Sequence, residues 1–138
     1  MNQQQILDAL AGLSLFSDLD RPQLQAVAHT MSEESFPAGQ RILRQGFTGA
    51  GFFVILDGEV TVRVDGDDVA RLGKGDFFGE ISLLLGEPPI ADVVTSGPVQ
   101  ALQLAGPDLR AFLLSYPVVM YRMLQSVSRR LDRANRRS

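Results

Sequence analysis

Cysteine is absent from the 138 residues and histidine occurs once, at position 29. Without cysteine there is no disulfide framework, no thiolate metal ligand and no thiol nucleophile, and a lone histidine cannot anchor a zinc cluster or a triad. No run of about 18 uncharged apolar residues occurs, which excludes a spanning helix. The opening MNQQQILDALAG has neither the basic flank nor the apolar stretch of a secretion signal, so the chain is expected to be cytoplasmic. Internal repeats, low-complexity tracts and linkers are also missing. What remains, 45% hydrophobic and 21% charged residues, is the composition of a single soluble domain over 1–138, not of a multidomain enzyme.

The net charge of −3 hides a division along the chain. Residues 121–138 hold six arginines, at 122, 129, 130, 133, 136 and 137, against Asp132, a net +5, leaving −8 for the first 120 residues. Such a tail could meet anionic partners. The plainer reading, preferred here, is that arginines near a helix C-terminus favour the helix dipole and keep an amphipathic helix soluble.

Leu7, Leu10 and Leu13, then Leu24, Val27, Ala28 and Met31, recur at helical spacing, predicting two short helices within 1–33, the second capped by Ser17 or Asp18. Glycines at 39, 46, 49, 51, 58, 66, 73, 75, 79 and 86 then separate short runs of Val, Ile and Phe. This pattern predicts about eight short strands over 34–105. Glu59–Val64 alternates apolar and polar residues before Asp65-Gly66, the mark of a hairpin strand with one wet face. Phe52–Leu56 is apolar throughout and reads as a strand covered on both faces. Gly106-Pro107-Asp108 opens a helix, and Pro117 a longer one, within 106–138. In that last helix Met120, Leu124, Val127, Leu131 and Ala134 are spaced 4, 3, 4, 3, a seam suited to a homodimer. The fold class is therefore mainly β with flanking helices: an eight-stranded antiparallel jelly-roll barrel, N-terminal helices and a long C-terminal helix.

The chemistry is concentrated at Phe77-Phe78-Gly79-Glu80-Ile81-Ser82. A strand runs into Gly-Glu and a helical turn, presenting free backbone N–H groups to an anion. Glu80 would repel that anion but would accept a hydrogen bond from a sugar hydroxyl, so the pair of features points to a nucleotide. Elsewhere the signals are weak. His29 has no partner of its kind, Asp65–Asp68 lacks the closing glutamate of a calcium loop, Glu33-Glu34 reads as a solvated turn, and Gly73–Asp76 lacks Walker spacing. No catalytic residue and no metal site emerges, so an enzyme is not expected.

Residues 42–58 together with Phe78–Leu83 resemble the two signature segments of the cyclic nucleotide-binding domain family, at their proper separation. The likeness covers roughly 15–137, with 116–124 and 128–131 similar to the terminal helix of catabolite activator-type regulators. It implies a jelly roll with a phosphate-binding cassette and a C-terminal helix over the pocket mouth. By motif position, Gly79 N–H and the Glu80 carboxylate would hold the ribose 2′-hydroxyl, with Ile81 beside them, and Ser82 N–H would donate to the cyclic phosphate of cyclic AMP or cyclic GMP. Ile90 N–H and Ala91 close the cassette, and Gly46 and Gly58 shape turns.

Two positions depart from the family pattern. Pro89 stands where the phosphate-binding arginine belongs, and neither Arg71 nor Lys74 is directed to replace it. One charge-assisted contact to phosphate contributes about 1.5–3 kcal/mol, so its loss weakens binding roughly ten- to a hundredfold. On the terminal helix Ala134-Asn135 replaces a Thr-Ser pair that reads adenine. Asn135 can still pair with a base and Ala134 cannot. The expected function is a sensor module whose barrel ligand moves the C-terminal helix. The alternative is a degenerate domain, poor at binding cyclic nucleotide, that serves in dimerisation or partner binding. The chain stops at Ser138, before the helix-turn-helix of such regulators, so sequence-specific DNA binding is not expected of it.

Overall fold

A computed structural model describes residues 1–47 and 51–136. Positions 48–50 of the first signature segment, Gly49 among them, and Arg137 of the basic tail lie outside the described residues.

Helix α1 (Gln3–Ala11) and helix α2 (Arg21–Thr30) each start with a capping box. Asn2 and Gln5 exchange side-chain to backbone hydrogen bonds at 2.8 Å, as do Asp20 and Gln23 at 2.9 Å. The cap of α2 is thus Asp20, not the expected Ser17 or Asp18. A glutamine three residues downstream returns the bond to Asp20, whereas Ser17 closes a 3₁₀ turn (Ser14–Phe16) and Asp18 is paired elsewhere. The predicted apolar stripe holds, with Leu7, Leu10, Leu13, Leu24 and Val27 buried.

Eight strands follow: β1 (Ser32–Phe36), β2 (Arg41–Leu43), β3 (Gly51–Asp57), β4 (Val60–Val64), β5 (Asp67–Leu72), β6 (Phe77–Phe78), β7 (Asp92–Thr95) and β8 (Val99–Ala105). They form two four-stranded antiparallel sheets, ordered β1-β8-β3-β6 and β2-β7-β4-β5, that face each other without closing into a barrel. The jelly-roll expectation stands in this open form. Glu33 and Glu34 lie within β1, paired with β8, and not in a solvated turn. β4 and β5 are joined through Asp65 and Gly66, both at positive φ (53° and 85°), the backbone of a two-residue hairpin.

β3 decides where the core lies. Every residue from Gly51 to Leu56 is buried. Phe52, Val54 and Leu56 pack with Phe77, Leu102, Leu104 and the helices, while Phe53 and Ile55 pack with Phe78, Val60, Val93 and Ala101 between the sheets. β3 therefore carries helices on one face and the second sheet on the other, as its unbroken apolar run requires. β4 departs from the predicted alternation. Thr61 is buried, its hydroxyl bonded to that of Ser96 at 2.9 Å, so a polar side chain is accommodated by a partner 35 residues away.

The short helix α3 (Glu80–Leu85) lies between β6 and β7; after β8 a 3₁₀ turn (Gly106–Asp108) leads into α4 (Leu109–Ser115), and α5 runs from Pro117 to Arg136. Val119 and Met123 are buried and Val127 packs on the same core. Arg122 makes a two-pronged ion pair with Asp18 at 2.7 and 3.0 Å. Of the predicted seam, Met120, Leu124 and Leu131 face outward, 39–61% exposed, whereas Val127 belongs to the inner face.

Truncating the shared strand should be far more damaging than truncating the surface. Phe52→Ala is expected to lose about 3–5 kcal/mol in urea unfolding, against less than about 0.5 kcal/mol for the exposed Phe47→Ala.

Candidate ligand site between the sheets

Because β6 pairs with β3 through Phe53–Phe78 and Val54–Phe77, its two phenylalanines point to opposite faces of the sheet. Phe78 stacks on Phe53, with ring centres 5.0 Å apart, and Phe77 enters the helical core. The next residue must then turn sharply. Gly79 does so at φ 97°, and a Cβ there would collide with the carbonyl oxygen of Gly51. No side chain fits that approach, and no L-residue favours that φ. Helix α3 (Glu80–Leu85) starts immediately, so the turn at Gly79 drives Glu80 inward, where it is 3% exposed.

Glu80 lines a cavity of about 100 Å³ between the sheets. The apolar wall comes from Leu43, Val62, Leu72, Phe78 and Val93, and the rim from Gly79, Ile81, Ser82, Pro89, Ile90 and Ala91. Six of the seven residues singled out in the sequence meet here. Asn135, near the end of α5, is exposed and is not among the lining residues. Ile81 and Ile90 are 44% and 56% exposed at the mouth. The Ser82 hydroxyl donates to the Glu87 carbonyl and is spent within the cassette. Pro89 is buried, and its carbonyl accepts from Gly46 N–H at 2.9 Å, tying the cassette to the segment after β2.

The sequence reading found no cation for this pocket, yet Arg130 of α5 lines it. Its guanidinium donates to Glu80 Oε1 at 3.2 Å and to the Phe77 carbonyl at 2.7 Å, and lies 4.4 Å from the Phe77 ring centre. Helix phase carried the missing signal. Arg130 falls eleven residues after Val119, seven after Met123 and three after Val127, and so continues the buried stripe. The other oxygen of Glu80, Oε2, is fully buried and has no hydrogen-bond partner among the described residues. Burial pushes the Glu80 carboxyl above the ordinary glutamate value, and Arg130 pulls in the opposite direction without cancelling it.

Comparison with known proteins agrees with this geometry. Residues 33–116, more than half of the chain, match the cyclic nucleotide-binding domain family, and the chain belongs to it. It is 34% identical over 113 residues to a cAMP-dependent protein kinase type II regulatory subunit of Drosophila melanogaster, covering 79% of this chain and 29% of that protein. To a cGMP-dependent protein kinase, egl-4 of Caenorhabditis briggsae, it is 37% identical over 100 residues, covering 68% of this chain and 13% of that one. The chain thus spans less than a third of these curated relatives. A crystal structure of a cyclic nucleotide-binding domain from Methylobacillus flagellatus superposes with a TM-score of 0.81 at 27% identity, covering 97% of this chain and 80% of the other. The chain is a domain of that family with a mainly β architecture.

The ion pair yields a pH prediction. A glutamate whose folded pKa is raised contributes stability below its unfolded pKa, and that contribution is lost as pH rises through the folded pKa. Arg130→Met removes the opposing cation and raises that pKa further. It is expected to destabilise the fold by about 3 kcal/mol at pH 8, the low end for a broken buried pair because Arg130 is a quarter exposed. The deficit should be smaller at pH 5 than at pH 8, because acid favours the uncharged form of the buried Glu80 carboxyl. Urea melts of parent and variant at both pH values check this, and Glu80→Gln should abolish the pH dependence of the deficit.

Proposed function

We propose that this domain is a ligand-gated regulatory module in which a small molecule bearing sugar hydroxyls enters between the sheets and acts on α5. The carrying observation is the buried Glu80 carboxylate, with one oxygen paired to Arg130 of α5 and the other without a partner. A hydroxyl donated to Glu80 changes the environment of the helix arginine directly, so occupancy and α5 position are linked through one carboxylate. Such a link shifts an equilibrium only by the ligand's differential affinity for the two helix positions. Gly79, Glu80 and Ser82 are assigned to ligand contact through N–H and carboxylate groups, with Ile81, Ile90 and Ala91 forming the rim and Asn135 too far along α5 to line the cavity unless the helix moves.

Cyclic AMP and cyclic GMP, the nucleotides named for the related kinases, are the first ligands to test. With Pro89 at the rim, the unaltered chain is expected to bind them feebly. Pro89→Arg, on protein whose thermal unfolding still matches the parent's, is expected to gain at least about tenfold in cyclic AMP affinity by calorimetry. No gain would contradict the assignment of the cassette.

A second reading rests on the outward stripe of α5. Met120, Leu124 and Leu131 leave a band of exposed apolar surface on a 20-residue helix, which suits pairing with a second copy of this chain. Leu124→Glu is expected to convert a dimer into a monomer in sedimentation. If parent and variant sediment alike, this interface is wrong.

A further inference from the structure

Resting on the ligand-site reading above, we infer that the preferred occupant of the cavity is an uncharged vicinal diol with a flat, weakly polar body, of the ribonucleoside type, and not a cyclic phosphate.

Charge comes first. Among the described residues that line the cavity, Arg130 is the one cation and Glu80 the one anion, and they are paired at 3.2 Å. Arg130 also donates to the Phe77 carbonyl and lies against the Phe77 ring, which holds the guanidinium in this orientation. The site is therefore neutral before any ligand arrives. A cyclic phosphate brings a full negative charge into it, beside a buried carboxylate, and leaves one cation to serve two anions. An uncharged ligand leaves that pair in place.

The rim reinforces this selection. The positions flanking the ligand's far side are Pro89, Ile90 and Ala91, which offer no cationic side chain, and proline offers no N–H. The Ser82 hydroxyl is already committed to the Glu87 carbonyl. Side chains here can bury a hydrocarbon or ribose edge but cannot solvate an anion.

The floor then specifies the hydroxyls. Glu80 is 3% exposed and its Oε2 lacks a donor, an arrangement that is expensive unless a ligand completes it. A ribose with free 2′ and 3′ hydroxyls presents two adjacent O–H donors to one carboxylate. A 3′,5′-cyclic phosphate has esterified the 3′ oxygen and keeps only one. The diol thus satisfies more of Glu80 while bringing no charge, and Leu43, Val62, Leu72 and Val93 receive the planar body.

The test is calorimetry on the unaltered chain with adenosine, guanosine, cytidine and uridine, against cyclic AMP and cyclic GMP in the same buffer. At least one ribonucleoside is expected to bind at least about tenfold more tightly than either cyclic nucleotide. Its 2′-deoxy and 3′-deoxy analogues are each expected to lose about tenfold or more, as a hydrogen bond to a carboxylate is removed. Raising salt from about 0.05 to 0.5 M should leave the nucleoside affinity unchanged, since no ligand charge is screened. A cyclic nucleotide that binds as tightly as the best nucleoside overturns this inference and leaves the ligand-gated reading intact, because Arg130 has then turned to the phosphate. If nothing in either set binds below about 1 mM, the inference and the ligand-gated reading fall together.

Discussion

The structure depends on one strand having no face to spare. β3 is hydrophobic on both sides because helices lie against one and the second sheet against the other, and the five residues Phe52–Leu56 allocate the core between those two partners. β6 is only two residues long, yet it is held in register by Phe53 and Val54, so Phe77 and Phe78 have no freedom to exchange sides. From that register follow the sharp turn at Gly79, the inward direction of Glu80 and the position of the cavity. The site is a by-product of how the core is shared, which is why the packing of a short edge strand governs the placement of a carboxylate.

Once inside, Glu80 poses an electrostatic problem that the fold only half answers. A buried carboxylate requires compensation. Arg130 supplies a charge at one oxygen, reaching across from the terminal helix, and nothing among the described residues supplies a donor at the other. The cavity and the terminal helix therefore meet at a single side chain. Pro89 and Ile90 make the rim apolar on the side away from Glu80 and bring no charged side chain to it.

Much of this was readable from residue order, and the exceptions have physical causes. The unbroken run Phe52–Leu56 announced a strand buried on both faces, and Gly-Glu after an aromatic pair announced the cassette. Thr61 was read as a wet position because its partner, Ser96, lies on a different strand connection that no local pattern reveals. Strand count alone could not tell two facing sheets from a closed barrel, since closure is a matter of which edges bond. Ser17 and Asp18 look like caps in isolation, yet Asp20 is the residue with a glutamine three positions downstream, Gln23, to complete a capping box. Arg130 was hidden for a different reason. Six arginines in eighteen residues look alike until the inward stripe of Val119, Met123 and Val127 fixes the phase of the helix.

That helix is anchored unevenly. Its first two turns are held by Val119, Met123 and the Arg122–Asp18 bridge, whereas beyond Val127 the contact with the cavity is made through Arg130. With a rise of 1.5 Å per residue, Met123 to Arg130 is an arm of about 10 Å and Met123 to Arg136 one of about 20 Å. Pivoting at the fixed end, such a rod has a mechanical advantage near two. Were the helix to pivot there as a rigid rod, a sideways step of about 1 Å beside the cavity would become about 2 Å at Arg136.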